Sequence, residues 1–316
     1  MKRIIGLIAG FVVLLTSCGG RQASDSTLQG EVKISGAYAL YPMALEWVEE
    51  FQALHPGVKV NIQAGGAGKG MTDALGQAVD FGMVSRALYQ TEINRGAIGF
   101  PVAKDAVVAT VNANNPLIKE ILAHGISMED ATKIWITGEA KVWGDILGNG
   151  DQTPIKVYTR SDACGAAETW ASWFGKKQED LLGTKVHSDP GLLSAVQKDV
   201  NGIGLNNIGY AYDIKSHKME KDIRVVPIDR DSDGKISADE NFYDTKDDVT
   251  KAIVSDKYPS PPARDLLLVS KGLPTNEAAV EFLKFVISKD GQAMCEPAGY
   301  IPIPDDKIQK TLEQLQ

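Results

Sequence analysis

Short apolar runs alternate with longer segments of helical spacing along most of the chain. The runs that favour strands are residues 31–35, 58–63, 105–111, 155–158 and 266–269. The segments with apolar side chains three or four positions apart, which favour amphipathic helices, are residues 42–54, 71–78 and 277–287. Strands that alternate with helices predict an α/β protein with parallel sheets and helices on both faces.

The N-terminal residues follow another pattern, which predicts a targeting segment that is not part of the folded domain. Two basic residues precede an apolar run, residues 4–15, that is too short to span a bilayer. The run ends in the letters LTSC, which resemble the bacterial lipoprotein box with Cys18 as the lipidated residue. We expect a signal peptide over 1–17 and a polar, lipidated tether over 18–30, on the periplasmic or cell-surface side of a membrane. The alternative is a plain signal peptide with a chance cysteine.

Length and charge narrow the classes of partner. The chain has 316 residues, enough for two lobes of ordinary size, and a formal net charge of -8. That charge argues against nucleic acid as a partner, and it would repel an anion at long range. Any anion site must therefore depend on local dipoles and hydrogen bonds. The two other cysteines, Cys164 and Cys295, are expected to be unpaired thiols.

Three Gly-rich turns, residues 35–42, 64–70 and 160–166, lie between a strand run and a helix run. Exposed N–H groups and the helix dipole at such turns favour anions, so three converging turns would make an anion site with little net charge. Arg160 can donate two parallel hydrogen bonds to an oxyanion or, with equal weight, form a salt bridge. Asp162 either orients Arg160 or caps the following helix. The nucleotide patterns GxxxxGK[ST] and GxGxxG are not matched.

Several longer motifs resemble one family, the phosphate-binding proteins of ABC importers. These motifs are GAYALYPMA, DFGMVSR, IWITGEAKVWGDILG, IKVYTRSDACG, and KFVISKDGQ followed by AGYIP. The resemblance covers about residues 33–304. It implies a two-lobed α/β fold of the periplasmic-binding-protein type II, with two hinge strands and a ligand in the cleft. It also implies a first lobe over 31–109 plus 258–316 and a second lobe over 110–257, in a monomer that delivers its solute to ABC permease subunits.

The resemblance also implies a set of ligand-binding positions. These are Ala37, Tyr38, Ala39, Ala67, Gly68, Ser85, Arg160, Cys164, Gly165 and Ala166. The family usually donates hydroxyls from all three turns, whereas this chain has Tyr38 and Ala39 for Ser and Thr, Ala67 for Ser, and Cys-Gly-Ala for Ser-Gly-Thr. Each lost bond to a charged group is worth about 1–3 kcal/mol. Either backbone N–H groups, Tyr38 and Lys69 compensate, or the ligand is another small anion. Cys164 is expected to be a neutral thiol in place of a hydroxyl, the alternative being a thiolate.

Residues 229–240 match the twelve-residue calcium loop at every diagnostic position. Asp229, Asp231 and Asp233 stand at positions one, three and five, Gly234 at the turn, Lys235 at the carbonyl position, Ser237 at the water position and Glu240 at position twelve. The match predicts one structural Ca²⁺ in the second lobe. The alternative is a solvated acidic turn.

No pattern of catalytic residues is present, because the four histidines are scattered and neither HExxH nor GxSxG occurs. We therefore expect no enzyme activity and no organic cofactor. The sequence predicts the solute-binding component of an ABC importer, with phosphate as the first expectation among small oxyanions. The alternatives are a receptor for a different small anion and a surface lipoprotein that uses the same fold for adhesion or sensing.

Overall fold

The computed structural model describes residues 28–315. The strands are β1 (Gly30–Gly36), β2 (Val58–Ala64), β3 (Phe81–Val84), β4 (Ala97–Asn112), β5 (Lys156–Arg160), β6 (Thr184–Val186), β7 (Gly202–Asn207), β8 (Ile223–Val225) and β9 (Ala263–Lys271). The signal peptide and Cys18 lie outside the described residues, as does the predicted tether up to residue 27. The last tether residue, Gly30, is instead the first residue of β1.

Helices connect and cover these strands. They are α1 (Tyr41–Leu54), α2 (Ala67–Leu75), α3 (Gln90–Ile93), α4 (Ile118–His124), α5 (Met128–Thr132), α6 (Gly144–Leu147), α7 (Gly165–Trp173), α8 (Asp189–Lys198), α9 (Ile208–Ala211), α10 (Lys246–Val254), α11 (Glu277–Val286), α12 (Lys289–Ala293) and α13 (Asp305–Gln314). A π-helical turn, Lys133–Thr137, and a 3₁₀ turn, Gln178–Asp180, complete the set. None of the described helices has the length and apolar character needed to cross a membrane.

The strands form one continuous path in the order β2-β1-β3-β9-β4-β7-β5-β6, with β8 added to β4. The outer pairs are parallel: β1 with β2 and β3, and β5 with β6 and β7. The centre is antiparallel, because β9 pairs with β3 and β4, and β4 pairs with β7 and β8. The prediction of parallel sheets is therefore wrong at the centre. A chain that leaves one lobe through β4 and returns through β9 needs two strands of opposite direction.

The hydrophobic core divides into two lobes along β4. Lobe 1 has one cluster, drawn from residues 32–103 and 266–303. Lobe 2 has two clusters, which together take in residues 106–263 and Ile301. β4 runs through both lobes, and β9 pairs with it from Lys271 to Ala263. The two-lobed α/β architecture is confirmed, while the lobe limits at 109 and 258 stay predictions.

Two element boundaries differ from the sequence pattern for local reasons. α2 begins at Ala67 and not at residue 71, because Gly66 has a positive φ of 88° that turns the chain directly from β2 into the helix. β4 begins at Ala97 and not at residue 105. Its first half contains Pro101 and an irregularity in the pairing between Pro101 and Ala103, and these hide the strand pattern.

Candidate anion-binding site between the lobes

The second and third turns meet where the two lobes touch. The N–H of Gly68 in lobe 1 donates to the carbonyl oxygen of Ala163 in lobe 2 at 3.0 Å. The hydroxyl of Thr169 on α7 donates to the carbonyl oxygen of Ser85 at 3.4 Å. A Cβ added at Gly165 would lie only 2.1 Å from the Ser85 hydroxyl oxygen. The structure therefore brings Ser85 and the two turns together, with the lobes closed on each other.

The first turn presents unpaired donors to this junction. The N–H of Ala37 donates to the carbonyl oxygen of Met83 at 2.9 Å, so Ala37 is part of the turn's own scaffold. The N–H groups of Tyr38 and Ala39 have no hydrogen-bond partner within residues 28–315, although Ala39 is only 4% exposed. The ring of Tyr38 faces the Arg160 guanidinium at 5.8 Å, which places the first turn beside the third.

The helix starts in the other two turns add three more donors. Ala67 is the first residue of α2, and Gly165 and Ala166 are the first two residues of α7. First-turn N–H groups have no acceptor inside their own helix. No other acceptor for these three is found in the described part of the chain, and all three residues are buried.

The donors make a set that calls for an external acceptor. Five backbone N–H groups are unpaired, and the Ser85 hydroxyl likewise has no protein partner among the described residues. Ser85 is 2% exposed. A buried donor without a partner costs about 1–3 kcal/mol, and native proteins contain few of them. A ligand with several acceptor oxygens would satisfy the whole set.

Arg160 sits at the end of β5, next to the third turn, and is held by two carboxylates. Its Nε and Nη2 atoms donate to the Asp162 carboxylate at 2.9 and 2.6 Å, and Nη1 donates to Asp189 at 2.6 Å. The predicted two-bond fork onto a ligand is therefore occupied by Asp162, and the salt-bridge alternative is the one observed. Burial alone would raise the pKa of Asp162, but Arg160 outweighs it and lowers that pKa below its ordinary value. Asp162 thus orients Arg160.

The charge balance around Arg160 shows what attracts an anion. One guanidinium faces the two carboxylates of Asp162 and Asp189, and burial raises the pKa of Asp189, so the carboxylates at least neutralise the Arg160 charge. An anion therefore gains little from formal charge here. The attraction must come from the neutral N–H donors and the dipoles of α2 and α7.

Cys164, and not Asp162, caps α7, so the alternative role of Asp162 as a helix cap is not the one observed. Its sulfur accepts a hydrogen bond from the N–H of Ala167 at 3.3 Å. Burial raises the pKa of the thiol to about 12, although Arg160 acts in the opposite direction. The structure thus supports the neutral-thiol alternative.

Two groups expected to replace the lost hydroxyls are engaged elsewhere. The Lys69 ammonium forms an ion pair with Asp73, one helical turn further on, and lies at the surface. The N–H of Gly68 is used by Ala163. Lys69 and the Gly68 N–H are therefore not available to replace the missing hydroxyls, whereas the unpaired backbone N–H groups are.

A buried polar network behind the site was missed by the sequence analysis. Asp189 accepts a hydrogen bond from Asn207, whose own oxygen accepts one from Arg264 on β9. Arg264 also binds Asp105 on β4 at 2.8 Å and the Thr169 hydroxyl at 3.2 Å. The network joins Arg160 to both strands that cross between the lobes. Charged residues inside otherwise apolar strand segments were the available signal.

The acidic loop of lobe 2 is only partly assembled as predicted. Carboxylate oxygens of Asp229, Asp231 and Asp233 all lie within 4.8 Å of one another, a set of oxygen ligands that suits Ca²⁺. Glu240 is not in this group. Its buried carboxylate accepts the N–H of Arg230 at 2.8 Å and the N–H and hydroxyl of Ser237 at 3.1 and 2.8 Å.

Of the remaining predicted loop features, the turn glycine follows the sequence, while the ligand role of the Lys235 carbonyl and the water at Ser237 stay predictions. Gly234 has the positive φ of 77° that the tight turn needs. The N–H of Lys235 donates to Asp233 at 2.8 Å, which holds the chain in its turn.

Comparison with known proteins places the fold in a family. Residues 21–290 match the model of the PBP superfamily domain. The chain belongs to the PBP superfamily. Among curated relatives, the phosphate-binding protein PstS of Staphylococcus haemolyticus is 26% identical, with 98% of this chain and 94% of the relative covered. PstS of Staphylococcus aureus strain USA300 is 24% identical, with 97% and 89% covered.

Solved structures of similar fold agree with this assignment. A phosphate ABC transporter substrate-binding protein with bound phosphate from Clostridium perfringens matches with a TM-score of 0.70 at 22% identity, covering 87% of this chain and 100% of that one. An ABC-type phosphate transport receptor from Vibrio cholerae matches with a TM-score of 0.63 at 21% identity, covering 86% and 100%. The periplasmic-binding-protein-like fold and the resemblance noted in the sequence are confirmed.

Proposed function

We propose that this PBP-superfamily chain is the solute-binding component of an ABC importer and that it captures inorganic phosphate between its lobes. The observation that carries the proposal is a set of donors without a partner among residues 28–315, on residues that are buried except for the half-buried Tyr38. They are the N–H groups of Tyr38, Ala39, Ala67, Gly165 and Ala166 and the hydroxyl of Ser85. A tetrahedral oxyanion has four oxygens to accept these bonds. The names of the curated relatives point to the same ligand.

Neutral donors suit a receptor that must bind and then release. A backbone N–H stabilises an oxyanion without adding formal charge, so the complex does not depend on long-range attraction to an acidic protein. The donors come from both lobes, so the full set faces a ligand only when the lobes are closed. Closure on the ligand gives the permease a distinct surface to recognise.

A calorimetric titration of the purified, detergent-solubilised protein tests the ligand. Phosphate is expected to give a saturable heat with one site, whereas sulfate, molybdate and methylphosphonate serve as competing oxyanions. Ser85→Ala removes one unpaired donor and should weaken phosphate binding. Ser255→Ala is the matched control, because this exposed residue directly follows α10 and its hydroxyl bonds only to carbonyl oxygens of that helix. No heat with phosphate would overturn the choice of ligand, and heat with another oxyanion would replace it.

The anchoring of the chain belongs to the same proposal. Cys18 carries the lipid, the mature protein is a monomer on the periplasmic or cell-surface face, and permease subunits receive the solute. Support comes from the LTSC sequence alone. A Cys18→Ser variant should leave the membrane fraction, and sedimentation of the wild-type protein should give one chain per particle. A variant that stays in the membrane would contradict the lipid anchor.

We also propose that residues 229–240 hold one structural Ca²⁺. The three clustered aspartates supply oxygen ligands of the kind that Ca²⁺ prefers, and they repel one another without a cation. Thermal unfolding of the protein with Ca²⁺ and with a chelator should then give different midpoints. Identical midpoints would defeat the calcium proposal and leave the phosphate proposal intact.

A further inference from the structure

The first turn differs from the other two, because no regular helix start fixes the direction of its donors. Its carbonyl groups are all engaged. The carbonyl of Ala37 accepts the N–H groups of Leu40 and Tyr41, both at 3.2 Å. The two following carbonyls accept the hydroxyls of two tyrosines from distant parts of the chain.

These tyrosines come from different lobes. Tyr210 on α9 of lobe 2 donates its hydroxyl to the carbonyl oxygen of Tyr38 at 3.4 Å. Tyr300 of lobe 1 donates its hydroxyl to the carbonyl oxygen of Ala39 at 2.8 Å. Burial raises the pKa of both phenols, so both hydroxyls stay protonated and act as donors at neutral pH.

Peptide geometry links these bonds to the ligand donors. In a trans peptide the C=O of one residue and the N–H of the next point in opposite directions. The bond from Tyr210, together with the N–H of Tyr41, which donates to the same carbonyl oxygen at 3.3 Å, therefore fixes the peptide that carries the Ala39 N–H and turns that N–H away from the Tyr210 hydroxyl. The bond from Tyr300 fixes the next peptide and so the ψ angle of Ala39. The side chains of Tyr38 and Ala39 offer no aliphatic hydroxyl, so the first turn depends on these N–H groups.

We propose that the hydroxyls of Tyr210 and Tyr300 are positioning groups for the oxyanion, which hold the carbonyls of Tyr38 and Ala39 on one side and direct the N–H of Ala39 to the ligand. The inference rests on the proposed function and adds two residues outside the three turns. The two tyrosines differ in timing. The Tyr300 bond lies within lobe 1 and exists in the open protein, whereas the Tyr210 bond crosses between the lobes and forms on closure.

The experiment compares Tyr300→Phe, Tyr210→Phe and a control, Tyr212→Phe. The control loses a buried bond of the same kind, from the Tyr212 hydroxyl to the carbonyl oxygen of Tyr243 at 2.7 Å, which lies within lobe 2 and touches none of the turns. Phosphate affinity is measured by calorimetry, rates by stopped flow, and folding by urea unfolding. We expect roughly three- to tenfold weaker phosphate binding for each of the first two variants and wild-type affinity for the control.

The kinetic split separates a positioning role from a structural one. Tyr210→Phe should raise the dissociation rate and leave the association rate unchanged, while Tyr300→Phe should change both rates. If the wild-type protein binds phosphate and both Tyr210→Phe and Tyr300→Phe bind it with the same affinity, the positioning role of the tyrosines is refuted and the proposed function is not. A wild-type protein that does not bind phosphate would overturn the proposed function. An equal loss of affinity in Tyr212→Phe would show a general structural effect and would also overturn the inference.

Discussion

The oxyanion site and the acidic loop 229–240 use the same backbone group in opposite ways. Around the cleft, the N–H groups of Tyr38, Ala39 and Ala67 have no hydrogen-bond partner in the part of the chain that the structure describes. In the acidic loop, the loop's own carboxylates accept hydrogen bonds from its backbone N–H groups. Asp229 accepts the N–H of Ser232 at 2.8 Å and the N–H of Gly234 at 2.9 Å. The first arrangement offers donors to an anion, and the second gathers carboxylates for a cation.

The comparison teaches that the sign of a ligand's charge need not follow formal charges nearby. The immediate surroundings of Arg160 carry two carboxylates for one guanidinium, yet the unpaired amides favour an anion. In the loop, the backbone N–H groups of Ser232 and Gly234 already donate to Asp229, so they are not free to bind an anion. The negative charge of the clustered carboxylates then dominates the loop. The ligand proposed for each place therefore follows from what its backbone amides do.

Arg160→Met should produce the largest effect. It leaves Asp162 and Asp189 buried without their cation, so we expect phosphate affinity to fall about 100-fold and the free energy of unfolding to fall by about 3–5 kcal/mol. Calorimetry and urea unfolding measure the two losses. The triple variant Arg160→Met, Asp162→Asn, Asp189→Asn removes the uncompensated carboxylates and should regain both stability and most of the phosphate affinity. Affinity that stays about 100-fold weaker in the triple variant would mean that Arg160 itself contacts the ligand.

Gly165→Ala places a methyl group between the closed lobes. The added carbon would lie 2.1 Å from the Ser85 hydroxyl oxygen and 2.3 Å from its carbonyl oxygen. Such crowding costs about 1–3 kcal/mol, which corresponds to a roughly 5- to 150-fold loss of phosphate affinity. Small-angle scattering with phosphate should show a larger particle than the wild type. The free energy of unfolding should be unchanged, because the contact is between lobes. A scattering curve identical to that of the wild type would show that the added methyl group does not hold the lobes apart.

Asp231→Asn tests the acidic side of the comparison. Removal of one carboxylate from the cluster should abolish most of the Ca²⁺-dependent rise in unfolding temperature, a change of at least about 2 °C. Asp239→Asn is the control, because this exposed residue of the same loop pairs with Lys257 and Arg230 and lies outside the cluster. Phosphate affinity should be the same in both. An equal response to Ca²⁺ in the two variants would refute the assignment of the ligands.

Cys164→Ser should have the smallest effect on binding. The thiol is neutral at pH 7 and caps α7, a role that a hydroxyl also fills, so phosphate affinity should change less than about threefold. Stability should respond to pH instead. The folded-state pKa is raised from 9.0 to about 12, so the wild-type protein should lose stability relative to the variant as pH rises from 9 towards 12. Much weaker phosphate binding by the variant at pH 7 would contradict the neutral thiol.

The element pattern and the turns could be predicted because their signals are local. The runs over residues 42–54 and 277–287 became α1 and α11 within a residue at each end, because helical spacing of apolar side chains is a property of the segment. The three Gly-rich turns were visible for the same reason. Lys69 was misjudged, since a lysine beside a turn gives no sign of the aspartate one helical turn away that pairs with it.

The sequence by itself determined the α/β class, the positions of the donor turns and the acidic loop, since each follows from spacing within a few residues. The two lobes were expected from the family resemblance of the longer motifs. Only the tertiary structure decided that Asp189 shares Arg160 with Asp162 and that Tyr210 and Tyr300 bind the first turn. Those partners lie 29, 172 and 261 positions apart in the chain. Contacts over such separations depend on how the lobes pack and leave no periodic trace in the sequence.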